Sequence, residues 1–274
     1  MTPLNPDMNA SLELPWSRYV AVGDSFTEGV GDPAPTRPNG LRGWADRVAE
    51  VLSAMHPDGD FSYANLAVRG KLVDQIASEQ VDAALALQPD LITICAGGND
   101  VLRPGSDPDE ITAKLERIVT RLASGGATIV IFTAVDVSFT PVFKSIRGKA
   151  AIYNENVRAI AARHDCIVAD QWGLTELKDP RYWADDRLHM NALGHHTVAL
   201  RVLDALGVPH NLTPLDPPPV APHSWREARA EDVVWARTHL VPWVIRRLKR
   251  ESSGDHVAPK WPEAKPLPDD LIGG

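Results

Sequence analysis

A serine follows directly on the first apolar run of the chain, in Gly23-Asp24-Ser25-Phe26-Thr27-Glu28-Gly29. In an open α/β sheet, ligands bind at the carboxyl ends of the strands, where loops and helix N-termini present unpaired backbone N–H groups, and a serine there can act as a nucleophile. Taken alone, a G-D-S tripeptide is more often an Asp/Ser turn closed by glycines. Its company changes that reading. A serine hydroxyl is a weak nucleophile that needs a positioned base, usually a histidine held in one tautomer by a carboxylate. Asp185-Asp186-Arg187-Leu188-His189-Met190-Asn191 supplies both after the last apolar run, with a spacing that lets an Asp and a His of one short loop lie side by side. Acyl chemistry also needs donors aimed at a developing oxyanion. Gly97-Gly98-Asn99-Asp100 follows the third run, where the Asn99 amide can face the same crevice, and Asn65-Leu66-Ala67-Val68-Arg69-Gly70 follows the second.

Several decoys adjoin these residues. Asp185 neighbours Asp186, but the Asp-x-x-His spacing favours Asp186, leaving Asp185 as a loop or capping residue. His195 and His196 are expected to open or flank a helix, one packing on the body and one meeting solvent. With His189 they show no zinc-ligand spacing. Gly29-Val30-Gly31-Asp32-Pro33-Ala34 imitates part of a dinucleotide fingerprint, yet Pro33, Pro35 and Pro38 forbid the helix that must follow it. A Gly-x-Ser-x-Gly elbow is absent from the sequence, which separates the chain from the α/β-hydrolase pattern.

The elements that position these residues are legible as an alternation. Five β-rich apolar runs, Tyr19–Val22, Phe61–Leu66, Leu91–Ala96, Thr128–Val135 and Cys166–Ala169, are separated by Trp44–Met55, Leu72–Leu87, Asp109–Ala123 and Ser145–His164, which carry apolar residues at helical spacing. A further helix is predicted over Ala192–Leu206, closed by Gly207 and Pro209. The pattern is that of a parallel sheet covered by helices on both faces. The expected organisation is a lead over 1–16, a main α/β domain over 17–207, a Pro-rich linker over 208–224, a helical extension over 225–250 and a loosely tethered tail over 251–274. Trp225, Trp235 and Trp243 of the extension are expected to dock on the body, since their apolar surfaces are costly to leave in water. The basic run Arg246, Arg247, Lys249 and Arg250 then complements a helix C-terminus, with membrane-surface contact as the lesser alternative.

Composition narrows the function classes. The chain has 274 residues, 44% hydrophobic and 23% charged, with a net charge of −8 from 28 basic and 36 acidic side chains. That is ordinary globular composition and poor equipment for binding a phosphate backbone, so no nucleic-acid partner is expected. The two cysteines, Cys95 and Cys166, lie in apolar runs as small core residues and require no oxidising compartment. Met1 to Trp16 contains no Lys or Arg and no apolar stretch of secretory type, which predicts a cytoplasmic location.

Taken together, the motifs resemble those of the GDSL, or SGNH, hydrolase family of esterases, lipases and related acyl hydrolases. The resemblance runs from about Tyr19 to Leu206 and rests on the four segments around Ser25, Gly70, Asn99 and Asp186 to His189, in the family's order. It implies a flavodoxin-like three-layer sandwich around a five-stranded parallel sheet. Ser25 is then the nucleophile, and Asp186 and His189 complete the triad. Gly70 and Asn99 join the Ser25 backbone N–H as oxyanion donors. No cofactor or metal is implied, and the partner is a small-molecule acyl ester cleaved through an acyl-enzyme. The alternatives are acyl transfer to another alcohol by the same triad, and a catalytically silent binding module, against which the intact residue set counts. Phe26 stands where the name-giving motif has Leu and is expected to pack rather than react. Asp32–Arg42, Arg103–Asp107 and Asp136–Arg147 are the loops expected to shape substrate choice.

Overall fold

Strand β1 (Arg18–Gly23) sends Tyr19 and Ala21 to one face of the sheet and Val20 and Val22 to the other, and all four are buried. Burial on both faces is the condition of a central strand covered by helices. The computed structural model describes residues 14–56, 58–140, 142–219, 224–242, 245 and 252–271. It arranges β1, β2 (Ser62–Asn65), β3 (Leu91–Cys95), β4 (Thr128–Phe132), β5 (Ile167–Ala169) and β6 (Trp261–Lys265) in one sheet of order β5-β4-β3-β1-β2-β6. The first five are mutually parallel. Helices α2 (Trp44–Ala54) and α8 (Ala192–Leu206) cover the face reached by Tyr19 and Ala21 through Trp44, Val48, Leu52, Val198 and Val202. On the opposite face, α3 (Val73–Glu79), α6 (Pro108–Ala123) and α7 (Arg147–His164) close over Val20 and Val22 with Ile76, Leu115, Leu122 and Val157.

The chain leaves β1 for β2 on one side and then returns to β3 on the other. That reversal opens a crevice at the carboxyl ends of β1 and β3, where ligands bind in folds of this kind. The loops bearing Ser25 and Asn99 leave the sheet at this point. The predicted helix over Leu72–Leu87 is broken into α3 and α4 (Val81–Ala86) at Gln80. At the break the buried Gln80 amide accepts from the Gly23 N–H and donates to the Gly23 carbonyl, both at 2.9 Å. Those bonds fix the end of β1 immediately before the serine.

Two expectations are corrected at the C-terminus. The sheet has a sixth strand, β6, antiparallel to β2 through Asn65↔Trp261 and Tyr63↔Lys265. It comes from the segment read as a loose tail. Pro262 and the charged Glu263 and Lys265 hide it from period-two analysis, but an edge strand accepts a proline that an inner one cannot. Lys260, just ahead of β6, is buried and donates to the Glu28 carbonyl at 2.6 Å and to the Asp46 carboxylate. The second correction concerns α9 (Trp225–Trp235): Trp225 is 68% exposed, with the Arg226 guanidinium over its ring, so it does not dock. Trp243 and the basic run from Arg246 to Arg250 lie outside the described residues. Among the described residues no helix is long and apolar enough to cross a membrane.

Candidate active site

Ser25 is the first residue of α1 (Ser25–Glu28), a single turn that begins as β1 ends. Asp24 caps that turn, its Oδ1 accepting from the Phe26 N–H at 3.1 Å. The Phe26 ring turns into the core against Trp44, Phe132 and His195, at centroid distances of 5.5, 5.9 and 6.1 Å. Packing fixes the turn from below and leaves Ser25 half-exposed above it.

His189 reaches the site on the loop between β5 and α8. Its Nδ1 lies 2.6 Å from Asp186 Oδ2, while Asp186 Oδ1 accepts the backbone N–H groups of Leu188 and His189 at 3.0 and 2.9 Å. Burial works against the charge of Asp186, but the His189 ring bond and charge, with those two N–H donors, outweigh it and hold the carboxyl down at about 2. An ionised partner makes Nδ1 the donor and leaves Nε2 with the free lone pair. Gly31 brings this loop against the serine loop. At φ +103° it has no side chain, and a Cβ there would stand 2.1 Å from the Met190 carbonyl oxygen and 3.1 Å from His189 Cβ.

Ser25, Asn99 and His189 line one cavity of about 220 Å³. Phe132, Val135, Val137, Phe139, Ile146 and Ala150 give it an apolar wall. Of the three loops expected to shape substrate choice, Asp136–Arg147 supplies part of that wall. Asn99 donates from Nδ2 to Asp24 Oδ2 and to the Lys71 carbonyl, both at 3.1 Å. Burial pushes the Asp24 carboxyl up to about 6. Local sequence marks Asp24 only as a turn residue, and its link to Asn99 spans 75 positions that carry no local signal.

Gly70 stands apart from this group. It is not among the residues lining the cavity, and at φ +77° it packs beside Ser252, whose Oγ would lie 2.3 Å from an added Cβ. The decoy histidines are placed as expected. His195 is fully buried, with Nδ1 accepting from the Trp44 N–H at 3.3 Å and Nε2 facing the Val30 carbonyl at 3.2 Å. His196 is half-buried and meets the Thr213 carbonyl at 2.8 Å. Burial raises the Cys95 and Cys166 thiols, the latter to about 11. Among the described residues no cluster of three His, Cys, Asp or Glu side chains is placed to hold a metal ion.

A doubly wound sheet with a serine after β1 and an Asp-x-x-His loop after β5 defines a serine ester hydrolase of SGNH type. The chain belongs to the GDSL-like Lipase/Acylhydrolase family, whose model matches residues 21–197. Among solved structures it is similar to LAE5, an α/β hydrolase enzyme from the metagenome of Lake Arreo, Spain, at 25% identity and a TM-score of 0.58, covering 70% of this chain and 95% of that one. Axe2, an acetylxylan esterase from Geobacillus stearothermophilus, matches at 21% identity and a TM-score of 0.58 over the same shares. TesA matches at 20% identity and a TM-score of 0.54, covering 69% of this chain and 97% of that one. These last two likenesses concern the fold. No curated protein matches the chain.

Proposed function

We propose that the enzyme cleaves carboxylic esters by a two-step acyl-enzyme route on Ser25, Asp186 and His189. The observation that carries this reading is the His189 ring, tied through Nδ1 to Asp186 at 2.6 Å and lining one cavity with Ser25. His189 Nε2 takes the hydroxyl proton as Ser25 Oγ adds to the ester carbonyl, then returns it to the departing alcohol oxygen. In the second step the same nitrogen activates water, which releases the acid and restores the serine. The Ser25 N–H and the Asn99 amide meet the oxyanion, Asn99 giving up one of its present acceptors to do so. Gly70, although it does not line the cavity, keeps the donor role that the family resemblance implies. The apolar wall of Phe132, Val137, Phe139 and Ile146 suits an acyl chain longer than the acetyl group named for Axe2. Turnover of a chromogenic octanoate ester by the wild type, set against Ser25→Ala and Asp186→Asn, tests the proposal. Both variants are expected to lose about 10⁴-fold or more in kcat. Product analysis with added glycerol separates hydrolysis from transfer, and activity in Ser25→Ala above a tenth of wild type rejects the mechanism.

A further inference from the structure

The outward side of α9 and of the helical residues after it is apolar and basic at once. Among the described residues eight large hydrophobic side chains are exposed, and five of them, Trp225, Val233, Val234, Val241 and Ile245, fall within this one stretch. The stretch is anchored from its other side. Asp232 pairs with Arg187, Trp235 donates to the Asp186 carbonyl, and Leu240 and Pro242 line a hollow with Leu188 and His189. Arg226, Arg229, Val233 and Arg237 follow one another at three- and four-residue spacing, which puts them on one side of a helix, and all four are exposed.

Charge separates along the chain at the same place. Residues 225–250 hold seven basic and three acidic side chains, net +4, in a chain whose net charge is −8. Two of those acids are engaged, Asp232 by Arg187 and Glu227 by the Ser224 N–H. Large apolar side chains clustered in the open mark a surface that another body covers. The body that suits this one must take in apolar side chains and present negative charge around them, and a bilayer with anionic headgroups does both. We propose that the C-terminal segment docks the enzyme on an anionic membrane surface, with Trp225, Val233, Val234 and Val241 at the acyl boundary and the arginines among the headgroups. Docking of this kind is independent of which ester is cleaved.

Co-sedimentation of the full-length enzyme with phosphatidylcholine vesicles, with and without phosphatidylserine, tests the proposal. The wild type is expected to bind the phosphatidylserine vesicles at low salt, to bind the neutral ones at least about tenfold more weakly, and to be released as salt rises. Two combined variants alter only exposed side chains: Val233→Ser, Val234→Ser and Val241→Ser in one, Arg226→Gln, Arg229→Gln and Arg237→Gln in the other. Each is expected to weaken binding by about tenfold or more. Equal binding to the two kinds of vesicle overturns the proposal, and so does binding by the serine variant within about twofold of wild type. A dimer seen by ultracentrifugation without vesicle binding would assign the face to a second copy, and retention on RNA without vesicle binding would assign the charge to nucleic acid. Either result overturns membrane docking.

Discussion

The Trp235 indole N–H donates to the Asp186 carbonyl at 3.0 Å, joining the C-terminal helix to the loop that bears His189. The same loop passes through Arg187 at φ +56°, a left-handed conformation that costs a side-chain-bearing residue about 1–2 kcal/mol. Two contacts offset that cost. The Arg187 guanidinium pairs with Asp232 at 2.6 Å and lies 4.9 Å from the Trp235 ring centroid. Trp235 is therefore expected to position His189 through Asp186. In Trp235→Phe the ring stays and the N–H is lost. We expect kcat to fall about fivefold with KM unchanged, matching the loss of one hydrogen bond. A change in melting temperature with kcat intact would reduce Trp235 to a structural prop.

Gly31 places the His189 loop beside the serine loop. Its positive φ and the Met190 carbonyl, 2.1 Å from where a Cβ would stand, leave no room for alanine. Gly31→Ala is expected to displace His189 and lower kcat by about 10² or more, since misplacement of about 1 Å in a catalytic group has that effect. Circular dichroism and chromatography confirm that the variant is folded. Wild-type kcat in such a preparation would show that the close approach of these loops is dispensable.

Stability on the acid side is expected to depend on His195. Burial holds its pKa down at about 3, against about 6.5 for an unperturbed imidazole. Between those values the unfolded chain binds a proton that the folded one refuses, so the stability is complete above about 6.5 and drains away as pH falls toward 3. Asp24, raised to about 6, works in the opposite sense, and its contribution is lost as pH rises through about 6. His195→Gln retains an acceptor and a donor but does not titrate. Unfolding free energies from urea titrations should fall less steeply in the variant as pH drops from 7 to 4, by up to about 1.4 kcal/mol per pH unit. Parallel slopes would contradict this assignment.

The site was more legible than its supports, for a physical reason. Asp186 and His189 are three residues apart, and Ser25 and Asn99 each follow a strand whose apolar run is plain, so local patterns carried them. What holds them is non-local. Gln80 clamps Gly23 across 57 positions, Trp235 meets Asp186 across 49, and Lys260 reaches Glu28 across 232. No periodicity encodes such pairs. β6 was missed because Trp261-Pro262-Glu263-Ala264-Lys265 lacks alternation, and it becomes a strand only because β2 offers an open edge. Gly70 shows the converse, a motif position found by sequence whose neighbour in the fold, Ser252, comes from the C-terminus.

Lys260 ties that terminal segment to the active-site turn. It bonds to the carbonyl of Glu28, the last residue of α1, and to Asp46, which also accepts the Gly43 N–H at 2.7 Å and the Tyr63 hydroxyl at 3.2 Å. Lys260→Met removes the cation and leaves a buried carboxylate without its ion-pair partner. Breaking such a pair costs about 3–5 kcal/mol, and chemical denaturation should show it. Deletion of 252–271 should cost at least as much, because it also bares the edge of β2. A truncated enzyme as stable as wild type would mean that β6 adds nothing to the fold.

Whether Ser25 is a nucleophile activated by His189 is read out by intact-mass spectrometry after exposure to a fluorophosphonate. The wild type is expected to gain one phosphonyl adduct, located on Ser25 by peptide mapping. Ser25→Ala is expected to gain none, and His189→Ala to react at least about 10²-fold more slowly, as loss of the general base requires. An adduct on another residue, or labelling of His189→Ala at the wild-type rate, would contradict the mechanism.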